Sequence, residues 1–148
     1  MALDARRPTI FIAEHDRTVL ELLQIRLDVA GFHTTTARTG DLALATLRSM
    51  RPAALVMDLH LPELDGFELL SALGAKGERP IYPILATGKV SSIEEVKRAV
   101  TLGARDFLAK PYSGADAVDR VMRLLRKPGP AQARTPSSLG PFYVDRAS

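Results

Sequence analysis

Three places along the chain carry the residue types that phosphoryl chemistry needs. Asp58 follows the apolar run from Ala53 to Met57. Glu14 opens a polar cluster with His15 and Asp16 after the apolar run Thr9 to Ala13, and Lys110 precedes Pro111 after Asp106 to Ala109. A carboxylate can attack phosphorus to give an acyl phosphate, further acids can hold a divalent cation that neutralises the phosphoryl oxygens, and a lysine supplies the remaining positive charge. A lone aspartate in such a setting is more often a helix cap or a turn residue. The company of Glu14 and Lys110 favours the chemical role for Asp58.

These side chains can act together only if the fold gathers them. Short apolar runs at Thr9 to Ala13, Ala53 to Met57, about Ile81 to Ala86 and Asp106 to Ala109, with the Thr-rich segment His33 to Ala37, read as five strands. Between and after them apolar residues recur at helical spacing. The first helix spans Arg17 to Ala30, with Asp16 as N-cap and Gly31 as stop; the second follows Gly40 through Leu42, Ala43, Leu47 and Met50. The third runs through Phe67, Leu69, Leu70 and Leu73, the fourth from about Ser92 to Leu102 and the fifth from about Ser113 to Arg126. Strands separated by helices call for parallel crossovers, so the class is α/β with a doubly wound, five-stranded parallel sheet. Ligands of such sheets bind beyond the carboxyl ends of the strands, where Glu14 to Asp16, Asp58 to Pro62, Thr87 to Lys89 and Lys110 to Pro111 fall.

With 148 residues, 46% hydrophobic and 25% charged, one folded domain is expected. Residues 1–8 read as an N-terminal extension, 9–127 as the domain and 128–148 as a flexible tail or linker rich in Pro, Gly and Ser. The absence of cysteine excludes disulfides, thiolate metal sites and cysteine nucleophiles. A net charge of +3, spread along the chain with no basic run interleaved with aromatics, gives little reason to expect nucleic-acid binding. No apolar run approaches the roughly 18 residues of a membrane span, and the start MALDARRPT lacks the apolar core of a secretory signal. A cytoplasmic protein without a membrane partner is expected.

The segment from Asp58 to Pro62 with Gly66, in MDLHLPELDGFELL, resembles the phosphorylation loop of a response regulator receiver domain. The likeness runs from about Thr9 to Arg126. It extends to the acidic cluster after the first strand, to Gly103 and Ala104 before the fifth, and to Phe107–Pro111, FLAKP. It implies a flavodoxin-like (βα)5 sheet of strand order 2-1-3-4-5. It implies that Asp58 accepts a phosphoryl group from a histidine kinase or histidine phosphotransfer protein, that Lys110 pairs with that group, and that Phe107 is the aromatic switch. Mg²⁺ is the implied cofactor, with Asp58, the backbone carbonyl of His60 and, through water, Glu14 around it. Signalling would pass through the face of the fourth helix, fifth strand and fifth helix to a downstream protein. The implied role is a signalling module, not an enzyme.

This sequence departs from the family pattern twice. Where the family has a second acid after the first strand, this chain has His15, and a neutral imidazole is a poor ligand for Mg²⁺. Weak Mg²⁺ binding is therefore expected. At the end of the fourth strand the family places a Ser or Thr that bonds the phosphoryl oxygen, whereas the ungapped spacing from Asp58 to Lys110 brings Gly88 there. A one-residue bulge or shift near Pro83 would bring the Thr87 hydroxyl instead, and Thr87 is the preferred switch residue. The alternative function is a degenerate pseudo-receiver that binds a protein partner without phosphorylation. A receiver cut from a longer DNA-binding regulator is also open. No recognition helix is present, so specific DNA binding by this chain is not expected.

A haloacid-dehalogenase-type phosphatase would need an acid where His60 stands. A P-loop or dinucleotide site would need glycines where Glu14 to Asp16 stand.

Overall fold

Each apolar run closes a strand and each amphipathic segment returns the chain across the sheet. The computed structural model describes residues 7–74, 80–89 and 92–126. Within them the order is β1 (Thr9–Ala13), α1 (Arg17–Val29), β2 (His33–Ala37), α2 (Gly40–Leu47), β3 (Ala54–Asp58), α3 (Gly66–Leu73), β4 (Ile84–Gly88), α4 (Ile93–Thr101), β5 (Asp106–Ala109) and α5 (Gly114–Leu125). The strands form one parallel sheet in the order β2-β1-β3-β4-β5, as expected. The tail expected at 128–148 and the first six residues of the N-terminal extension lie outside the described residues.

Successive strand residues point to opposite faces, and the two faces build two cores. Phe11, Leu55, Met57, Ile84, Ala86 and Phe107 pack under α2, α3 and α4, while Ile10, Ile12, Val56, Leu85 and Leu108 pack under α1 and α5. Fully burying each such side chain contributes roughly 1.5–3 kcal/mol. The same alternation decides where the polar residues at the strand ends go. Glu14 follows Ile10 and Ile12, Asp58 follows Ala54 and Val56, and Lys110 follows Leu108, so all three continue the series that faces α1 and α5.

Two strands differ from the sequence reading. β3 extends through Asp58 itself. β4 begins at Ile84 rather than near Ile81 and runs on through Gly88. Ile81 is 64% exposed, and Pro83, which has no N–H to give, contributes only its carbonyl, which accepts from the Leu55 N–H at 3.0 Å. The expected bulge is absent: the β3–β4 register runs unbroken from Leu55 opposite Ile84 to Asp58 opposite Thr87.

All five helices among the described residues start at a side-chain cap. Asp16, Thr39, Asp65, Ser92 and Ser113 each accept from a backbone N–H three residues on, a contribution of about 1 kcal/mol apiece. At its other end α1 is closed by Arg7, whose guanidinium donates to the carbonyls of Asp28, Gly31 and Phe32. The loop after β3 is fixed by Gly66. A Cβ there would come within 2.6 Å of the Asp58 carbonyl oxygen and 2.5 Å of Leu59 Cα, so only glycine lets α3 begin against the strand end.

Candidate functional site

At the carboxyl end of the sheet, β1, β3 and β5 deliver Glu14, Asp58 and Lys110 to one pocket. The Lys110 ammonium lies 2.6 Å from Asp58 Oδ2 and 2.6 Å from Glu14 Oε1. Toward Asp58 it donates a hydrogen bond. Glu14 Oε1, also buried, is held by the same ammonium in a charge-assisted pair. The other oxygens are tied to backbone: Asp58 Oδ1 accepts from the His60 N–H at 2.8 Å and Glu14 Oε2 from the Asp16 N–H at 2.9 Å. Both carboxylates are buried, Glu14 at 1% and Asp58 at 6% exposure.

Burial is the largest influence on Glu14 and raises its carboxyl above the ordinary range. Lys110 and the Asp16 N–H oppose the rise, and the Asp58 charge adds to it. For Lys110 burial favours the neutral amine, yet the two carboxylates outweigh it and the ammonium is held more tightly than usual. The pocket thus combines two anions with one strongly retained cation.

The remaining expected site residues are placed differently. His15 is exposed, and its carbonyl accepts from Arg38 Nε and Nη2 at 3.2 and 3.0 Å. Asp16 caps α1, receiving the Val19 N–H at 3.1 Å. His60 is exposed, with its ring edge 3.6 Å from where a Cβ on Gly88 would lie. Thr87 is 1% exposed, opposite Asp58 and in the Leu85 series. Phe107, 2% exposed, packs with Ala86 on the other face. Thr87 and Phe107 therefore lie on opposite faces of the sheet, and the β3–β4 ladder carries no bulge that would move the Thr87 hydroxyl. In the observed register Gly88 holds the Phe107 side, and a Cβ there would stand 3.8 Å from Asp58 Oδ1.

Three neighbours escaped the sequence reading. Arg38 pins the loop after β1. Tyr112, two residues past Lys110, has a buried hydroxyl, and burial followed by the charges of Glu14 and Asp58 pushes its ionisation upward. Arg120 on α5 grips the buried Asp106 through both carboxylate oxygens at 3.0 and 2.9 Å, and also donates to the Phe107 carbonyl at 3.2 Å.

Among the described residues no helix is long and apolar enough to cross a membrane. Comparison with known proteins agrees with the geometry. Residues 10–122 match the family model described as response regulator receiver domain. Over 140 residues the chain is 33% identical to the transcriptional regulatory protein PrrA of Mycobacterium leprae (strain TN), covering 93% of this chain and 59% of that protein. It is 35% identical over 124 residues to the response regulator MprA of Mycobacterium bovis (strain BCG / Pasteur 1173P2), covering 84% of this chain and 53% of the relative. The chain thus spans little more than half the length of these relatives. Among solved structures, the receiver domain of the Francisella response regulator 1452 superposes with a TM-score of 0.74 at 26% identity, covering 80% of this chain and 97% of that one. The signal receiver domain of a signal transduction histidine kinase from Syntrophus aciditrophicus gives 0.72 at 30% identity, covering 80% and 89%. With its sheet order, its strand-end pocket and a family match over most of its length, this chain belongs to the response regulator receiver domains, signalling modules of two-component systems rather than catalytic enzymes.

Proposed function

We propose that Asp58 is the phosphoacceptor of this receiver and that a histidine kinase or histidine phosphotransfer protein is its donor. In the transfer an Asp58 carboxylate oxygen forms a bond to phosphorus, the donor's phosphorus–nitrogen bond breaks, and the leaving imidazole keeps the electron pair. The observation that carries this reading is the Lys110 ammonium 2.6 Å from Asp58 Oδ2, a cation poised beside the oxygen that would bear the phosphoryl group. Glu14 supplies the second acid and Lys110 the counter-charge.

Receiver domains typically bind Mg²⁺, and the donors here fit a hard cation. Glu14 and Asp58 bring two buried carboxylates to one point, and carboxylate and carbonyl oxygens suit Mg²⁺. The Asp58 carboxylate and the His60 carbonyl would hold the ion, with Glu14 reaching it through water. When bound, it neutralises the phosphoryl oxygens. Because His15 stands where the family has a second acid, and an imidazole is a poor ligand for Mg²⁺, the affinity is weak.

We assign Thr87 to the floor of the pocket beside Asp58, since β4 carries it in the Leu85 series, and revise its expected role as switch. Coupling then relies on the Gly88 backbone, Phe107 and the α4–β5–α5 face, through which a cytoplasmic partner is addressed. The pseudo-receiver reading retains one specific support: Lys110 already engages both carboxylates.

Intact mass after incubation with acetyl phosphate and Mg²⁺ tests the proposal. Wild type gains one phosphoryl group and Asp58→Asn gains none. A wild type that stays unmodified with both this donor and a phosphorylated histidine phosphotransfer protein decides for the pseudo-receiver.

A further inference from the structure

Two buried polar atoms at the carboxyl end of the sheet stand out: the Tyr112 hydroxyl, which has no hydrogen-bond partner, and Glu14 Oε1, which relies on the Lys110 ammonium that Asp58 also engages. One is an acceptor and the other a donor, so they are chemically complementary. Tyr112 follows Lys110 and Pro111 and packs against the core beneath α1 and α5, the side to which Glu14, Asp58 and Lys110 also turn. A buried hydroxyl without a partner is costly, and phenylalanine would fill the same space without that cost. The phenol is also held in its protonated, donating form by burial and by the two nearby carboxylates.

Lys110 gives this arrangement its purpose. In the structure one ammonium serves two carboxylates. An anion on Asp58 would compete for that ammonium, leaving Glu14, 1% exposed, as a buried charge with a weakened counter-ion. We propose that Tyr112 is a positioning residue of the pocket: its hydroxyl becomes the hydrogen-bond donor to Glu14 when Lys110 is drawn toward an anion on Asp58. The proposal rests on Asp58 being the phosphoacceptor.

The test is a double-mutant cycle in the full chain, with Tyr112→Phe, Lys110→Met and the pair, read by thermal unfolding at neutral pH. Removing a hydroxyl that has no partner leaves Tm unchanged or raises it slightly. In the Lys110→Met background, where Glu14 has lost the ammonium, the same change lowers Tm by about 5 °C. A purely structural hydroxyl lowers Tm equally in both backgrounds, and an idle one lowers it in neither; either result overturns the proposal. Should Lys110→Met not fold, the cycle is run on Asp58→Asn/Lys110→Met, where one of the two facing negative charges is gone. A second arm follows phosphoryl uptake from acetyl phosphate and Mg²⁺ by intact mass, with Tyr112→Phe taking up the group several-fold more slowly than wild type. Equal uptake overturns the role in the phosphorylated state. A wild type with no uptake overturns the phosphoacceptor reading instead, and the unfolding cycle still decides the part played by Tyr112.

Discussion

Gly88 lies beside the Asp58 carboxylate at the end of the sheet, where a side chain on it would begin 3.8 Å from Asp58 Oδ1. The other nearest atoms, in His60 and Leu59, lie at 3.6 and 3.8 Å. These are ordinary contacts, so the place is open to a small side chain. Gly88→Ser is expected to change stability by no more than about 1 kcal/mol, since glycine in a strand carries an entropic cost of its own. The new hydroxyl stands where it can donate to a phosphoryl oxygen, on the same face as Phe107. Chemical shifts of α4 and β5 should therefore respond more strongly to phosphorylation in Gly88→Ser than in wild type, while Thr87→Ala responds as wild type does. If Thr87→Ala abolishes the response, Thr87 is the lever after all.

Lys110→Ala removes the cation that two buried carboxylates share. Phosphorylation of Asp58 is expected to slow by roughly 100-fold, the order of effect seen when a preorganised charge partner of a developing anion is lost. Lys110→Arg should not restore it, because the planar guanidinium cannot place one compact charge between two oxygens. Rates from acetyl phosphate, followed by intact mass, provide the measurement; an alanine variant as fast as wild type would show that the ammonium is a structural tie only.

Glu14 makes stability depend on pH. Its carboxyl is raised in the folded state, chiefly by burial, so the native chain holds that proton more readily than the unfolded one. The stabilisation is present below the ordinary value of 4.5 and is lost as pH rises through the native value. Asp106, raised by burial against the pull of Arg120, acts with the same sign above 3.8. Glu14→Gln should flatten the decline without removing it. Urea unfolding at several pH values above the ordinary carboxylate range checks this, and an unchanged slope would assign the dependence elsewhere.

Arg120→Met strands the Asp106 carboxylate, which is 2% exposed and would keep the Phe107 N–H as hydrogen-bond donor and the weaker attraction of Arg123. Breaking a buried pair from one side costs about 3–5 kcal/mol. Replacing Asp106 by leucine in the same protein should recover much of the loss, because no unpaired charge then remains. Equilibrium unfolding in urea distinguishes the two variants, and a loss under about 1 kcal/mol for Arg120→Met would mean that water reaches Asp106.

The strands at Thr9–Ala13 and Asp106–Ala109 were legible to the residue because an apolar run there meets a polar boundary at each end. β4 was not, since Ile81 looks like core in sequence yet is 64% exposed, and Pro83 delays the ladder. Asp58, Glu14 and Lys110 were legible as a set because each sits just where an apolar run stops. Arg38, Tyr112 and Arg120 were not, because their partners are fixed only when distant segments pack. The position of Thr87 depended on register, which spacing alone left open and the unbroken β3–β4 ladder settles.

The alternation that aims Glu14, Asp58 and Lys110 at one point also makes the pocket a parity check on the chain. Each side chain arrives through the count of residues along its own strand, odd or even, and a single inserted or deleted residue in β1, β3 or β5 would turn that strand's contribution to the opposite face. Two anions and a cation on mismatched faces cannot compensate one another. A frame error of one residue would thus leave a buried charge unanswered, so the three residues that meet in the pocket also penalise sheets assembled out of step.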